Sequence, residues 1–137
     1  VRHKVDFMII GLSAAALQKA PVVTQDVDLW FADLADPQLT KALKKVKSIY
    51  IAPMGNNPPM FAGDAVKLFD IVTHVHRLGK YAEVKKKAIK IPLDDFKVSV
   101  LPLELIIKSK QASGRTKDKL VLPVLKDVLK TIKSEKQ

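Results

Sequence analysis

The sequence predicts an α+β domain, a small mixed β-sheet with helices packed on one face. Three observations carry that expectation. Val5-Asp6-Phe7-Met8-Ile9-Ile10 is an apolar run that reads as a buried strand, and Asp26-Val27-Asp28-Leu29-Trp30-Phe31 alternates at period two as its neighbour. Between them stand a turn at Gly11 and one short helix length. Two later strand-like runs, residues 88–91 and 96–101, lead into a helical C-terminal region.

Each element has a local reason. The chain enters its first strand within a few residues of Val1, so a helix is expected ahead of it. Residues 13–19 read as a helix opened by Ser13 as N-cap and closed by Ala20-Pro21. In the strand at 26–31, Asp26 and Asp28 share one face while Val27, Leu29 and Phe31 face a core. Like charges so placed repel, and a cation is expected between them. Asp36-Pro37 supplies an N-cap and a first-turn proline for a helix to about residue 47, with Leu39, Leu43 and Val46 on its buried side. Residues 48–52 read as a short strand, and 53–60, with three prolines, a glycine and two asparagines, as a loop.

Residues 66–73 read as a central strand in which Asp70 stands among apolar neighbours and needs a compensating cation. A short helix at 80–87 follows, then the two strands joined by Pro92-Leu93-Asp94-Asp95. A helix from 102 to about 112 buries Leu103, Ile106 and Ile107, and Pro123 is expected to break the last region and start a new helix. With no repeats, heptads or linker, residues 1–137 read as one domain whose C-terminal helices begin near 102.

A chain of 137 residues is long enough to bury roughly two-thirds of its unfolded surface. The absence of cysteine excludes disulfides and thiolate metal sites and fits a cytoplasmic location. No apolar run approaches the roughly 20 residues that span a bilayer, and no signal peptide opens the chain, so no membrane partner is expected. Residues 1–77 carry 9 Lys and Arg against 7 Asp and Glu, while 78–137 carry 15 against 7, so most of the net charge of +10 belongs to the second half. Such a field favours nucleotides or nucleic acid, with Lys85, Lys86 and Lys87 as candidate phosphate contacts; a lysine-rich surface also serves solubility. His74 and His76 could form a His-x-His metal pair, but no third ligand follows by spacing, and they read as strand-end residues. Trp30 shares parity with the acids and reads as packing.

The order of glycine turn, helix, strand with Asp-x-Asp and third carboxylate resembles the nucleotidyltransferase superfamily that includes DNA polymerase beta, and in particular its minimal bacterial AbiEii-type members. The residues that carry the resemblance are Gly11, Asp26 with Asp28, Asp70, the phrase Pro21-Val22-Val23-Thr24-Gln25-Asp26, and the array Leu105-Ile106-Ile107-Lys108-Ser109-Lys110 followed by Arg115-Thr116-Lys117-Asp118. It covers roughly residues 5–129.

The resemblance implies a nucleotidyltransferase fold and Mg2+-dependent transfer of a nucleoside monophosphate from an NTP to a hydroxyl on RNA, protein or a small molecule. It also implies two metal ions, Mn2+ being an alternative, held by Asp26, Asp28 and Asp70, the last helping to deprotonate the acceptor. Gly11, Leu12, Ser13, Lys110 and Arg115 would meet the nucleotide, with Thr24 supporting and Asp118 orienting Lys110. Small bacterial relatives often belong to toxin–antitoxin modules, which implies an antitoxin-like partner. Leu12 stands where the family keeps glycine or serine, and Val22 where many small relatives keep arginine. Those departures define the alternatives, a catalytically inactive binding or interaction module and a basic RNA-binding domain with structural acids.

Overall fold

The apolar alternation resolves into five strands in one sheet, in the spatial order 69–72, 27–31, 7–10, 96–100 and 89–93. They are β1 (Phe7–Ile10), β2 (Val27–Phe31), β5 (Phe69–Val72), β6 (Ile89–Leu93) and β7 (Phe96–Val100). The sheet is mixed: β1 runs antiparallel to β2 and parallel to β7, β2 runs parallel to β5, and β6 runs antiparallel to β7. A separate hairpin pairs β3 (Ile49–Ile51) with β4 (Met60–Ala62). The helices are α1 (Gly11–Leu17), α2 (Pro37–Lys45), α3 (Tyr81–Lys85), α4 (Leu103–Ser113) and α5 (Thr116–Glu135). This computed structural model describes residues 5–21, 26–73, 75, 78–93 and 96–135.

Several sequence expectations hold in detail. Asp36 caps α2 by accepting the Gln38 N–H at 2.9 Å, and Pro37 follows at the first helical position. Leu103, Ile106 and Ile107 form the buried face of α4. Trp30 is buried between Met8 and Val72, its register partners on either side, and meets Tyr81 edge-on at 5.3 Å. Met8, Val100, Leu101, Ile106 and Leu125 make the fully buried centre, so the core joins the middle strands to α4 and α5.

Other expectations are corrected. The helix after Gly11 begins at Gly11 itself, so Ser13 lies inside its first turn and is not its N-cap. Val46 is 47% exposed because the chain leaves the helical path there, as its φ of −106° shows. The run at 66–73 is not a central strand: Asp64–Val66 is a 3-10 turn and only Phe69–Val72 pairs, at the edge of the sheet. Asp70 is therefore exposed, and the apolar residues beside it do not bury it. Pro123 does not break the C-terminal region, since α5 continues through it. An exposed proline leaves the carbonyl one turn earlier to water, and this lowers its cost in a helix.

Candidate active site

The acidic side of the site is set by strand register. In β2, Asp28 projects to the same face as Trp30, and the parallel pairing with β5 makes Asp70 its register partner. Register partners in a parallel pair project to one face from strands about 4.8 Å apart, so the two carboxylates are neighbours by backbone geometry. Asp26 lies just before β2. Partial desolvation and then the Asp26 charge hold the Asp70 carboxyl above the ordinary aspartate pKa.

The glycine turn is fastened to this strand. Ile10 pairs with Asp28, and the Ser13 hydroxyl donates to the Ile10 carbonyl at 2.8 Å while accepting the Asp28 N–H at 3.3 Å. Gly11 has φ +66°, and a Cβ on it would lie 2.6 Å from Asp28 Oδ2. Its missing side chain thus serves the Asp28 carboxylate directly. Gly11→Ala is expected to destabilise the fold by about 1–3 kcal/mol through the left-handed backbone alone and to displace the Asp28 side chain. Urea unfolding checks this, and a stability equal to wild type would contradict it.

The basic side comes from α4 and the start of α5. Asp118, only 1% exposed, accepts from Lys110 Nζ at 3.1 Å, from Arg115 Nε at 2.8 Å and from the Ser113 hydroxyl. Burial by itself would raise its pKa, but the three donors outweigh it and hold the carboxyl at about 2. Gly114 ends α4 in the left-handed conformation, which turns the chain so that Arg115 and Asp118 return to the end of α4. Asp118 thus fixes two cations and a hydroxyl at one edge of a cavity of about 140 Å³.

That cavity brings the halves together. Gly11 and Asp28 line it with Ser109, Lys110, Ser113 and Arg115, over an apolar floor that includes Ile10, Leu101 and Ile106. Among the expected site residues, Asp26 and Asp70 do not line it and Leu12 borders it nowhere; Ser13 is buried beneath the turn. Thr24, Val22, His74 and His76 lie outside the described residues. Ser109 enters the sequence reading only as part of the Leu105–Lys110 array, and Ser113 does not enter it, although Ser113 stands three residues after Lys110 on the helix, where side chains are neighbours. Lys85 proves structural rather than free: its ammonium pairs with Asp6 at 2.6 Å, and Tyr81 donates to the same carboxylate oxygen at 2.7 Å.

Among the described residues no group of three or more His, Cys, Asp or Glu is gathered closely enough to hold an ion. The donor chemistry nonetheless fits a hard divalent cation such as Mg2+, because Asp28 and Asp70 are adjacent by register and Asp26 acts electrostatically on Asp70.

No protein-family model and no curated protein matches the chain. Among solved structures it is similar to that of ANT(2″)-Ia in complex with adenylyl-2″-tobramycin, with 15% identity and a TM-score of 0.59 over 98% of this chain and 85% of that one. The similarity shows the nucleotidyltransferase fold.

Proposed function

We propose that the protein transfers a nucleoside monophosphate from an NTP to an acceptor hydroxyl. The observation that carries this reading is one small cavity with Asp28 on one wall and the Lys110–Arg115 pair on another, in a chain with the nucleotidyltransferase fold. A triphosphate needs its charge met from one direction and its reacting phosphorus presented to carboxylate-held cations from the other. The neighbour's structure is a complex with adenylyl-2″-tobramycin, in keeping with this chemistry.

In this reading Lys110 and Arg115 contact the triphosphate, and Asp118 keeps both cations oriented before substrate arrives. Gly11 forms the wall beside Asp28, and Ser13 beneath it holds the turn to β2. Asp26, Asp28 and Asp70 would hold Mg2+ or Mn2+, which when bound neutralises phosphate charge and lowers the pKa of an attacking hydroxyl. Asp70, whose proton affinity is raised, accepts the acceptor's proton. A bond forms from the acceptor oxygen to the α-phosphorus, the bond to pyrophosphate breaks, and pyrophosphate leaves. The acceptor is a hydroxyl on RNA, protein or a small molecule. The AbiEii-type resemblance adds a bacterial toxin–antitoxin setting with an antitoxin-like partner and a cytoplasmic location; no described helix is long and apolar enough to cross a membrane.

Thermal unfolding with ATP, GTP, CTP or UTP and Mg2+ tests the reading. At a hundredfold excess over Kd, one nucleotide should stabilise the fold by about 2.7 kcal/mol, roughly 8–10 °C for a chain of this size, and only with metal present. Labelled NTP incubated with cell extract should then mark an acceptor. If no nucleotide shifts the transition and no acceptor is marked, the chain is a catalytically inactive binding or interaction module.

A further inference from the structure

Helix α5 carries a feature that the cavity does not use. At about 100° per residue, Lys119, Lys126, Lys130 and Lys133 fall within about 60° of one another on the helical wheel. Over 14 residues at about 1.5 Å each, they make a stripe about 21 Å long. All four are exposed, and among the described residues none takes part in an ion pair. Of the nearby carboxylates, Asp118 points inward and is spent on Lys110 and Arg115, while Asp127 lies about 60° round the helix from Lys130.

Like charges at four- and three-residue spacing, as at Lys126, Lys130 and Lys133, weaken a helix slightly, so the stripe is not there to stabilise α5. The apolar face of α5 is also committed, since Leu125 is completely buried and Val121, Leu122, Val128, Leu129 and Ile132 pack against the core. Among the described residues Leu120 is the one large apolar side chain that α5 exposes, too little apolar surface to insert into a lipid surface, which disfavours a membrane. A row of flexible point charges along one side of a helix suits a polymer of phosphates, to which each lysine binds with release of a counterion. The row also starts at the cavity: Arg115, which lines it, stands immediately before α5, and Lys119 follows one turn later.

We infer that α5 is a track for a single-stranded nucleic acid whose end reaches the cavity as the acceptor. The acceptor role rests on the proposed nucleotidyl transfer; the binding itself does not. Lys126→Glu/Lys130→Glu, made in the full chain, tests it with a 5′-fluorescein 20-nucleotide RNA, the DNA of the same sequence, and phosphatidylserine–phosphatidylcholine vesicles. The wild type should bind at least one oligonucleotide with an affinity that falls steeply between 50 and 200 mM salt. The double variant should bind at least tenfold more weakly with a shallower salt slope, while unfolding at the wild-type temperature and keeping any metal-dependent NTP stabilisation. The two oligonucleotides show whether the strand is RNA or DNA. Oligonucleotide affinity unchanged within twofold in the variant, or vesicles bound more tightly than both oligonucleotides, overturns the inference. Loss of NTP stabilisation in the wild type with oligonucleotide binding intact overturns the proposed transfer and leaves the track standing.

Discussion

Asp28→Asn is expected to abolish metal-dependent NTP stabilisation and to lower nucleotidyl transfer by roughly a thousandfold or more, leaving the fold as stable as wild type or slightly more so. The carboxylate lines the cavity, abuts Gly11 and neighbours Asp70, so it is the acid best placed to hold a cation against a bound triphosphate. Metal-ion stabilisation of developing phosphate charge is worth several kcal/mol, and each 1.36 kcal/mol is about tenfold in rate. The isosteric amide keeps the packing beside Gly11 while removing one negative charge from a face it shares with Asp70. Titration calorimetry with Mn2+ and a transfer assay read the two losses. Unchanged metal affinity in a folded variant would remove Asp28 from the site.

Asp118→Ala is expected to cost about 3–5 kcal/mol of stability and to disable nucleotide binding together with it. A buried carboxylate that binds two cations cannot be removed without leaving Lys110, itself only 13% exposed, uncompensated. Asp118→Asn retains the shape and separates the charge from the packing. The sign of its pH dependence follows from a folded pKa of about 2 against the ordinary 3.8. Stability from this group is present above pH 3.8 and is lost as pH falls towards 2, to the extent of about 2 kcal/mol. The stability gap between wild type and Asp118→Asn should therefore narrow from pH 5 to pH 2. A gap that stays constant across that interval in urea titrations would show that the charge of Asp118 is not what stabilises the cluster.

What the sequence determined by itself is what depends on near neighbours. Strand parity put Asp28 and Trp30 on one face, because side chains alternate whatever the partner strand is. Asp36-Pro37 started α2 and the spacing of Leu103, Ile106 and Ile107 fixed the buried face of α4, because caps and helical stripes are settled within a turn. Only the tertiary structure decided which residues meet. Asp70 stands beside Asp28 at an exposed edge because β5 pairs in parallel with β2, and an apolar run alone cannot say whether a strand lies at the centre or the edge of a sheet. Gly11 is required by a carboxylate seventeen residues away, Ser13 bolts the turn to β2 instead of capping a helix, and Lys85 answers Asp6 across the chain. Asp118 becomes the hub of the basic wall because Gly114 reverses the chain and buries it against two cations. Burial and long-range pairing set the charge, orientation and proton affinity of such groups, and neither is encoded within a few residues of the group itself.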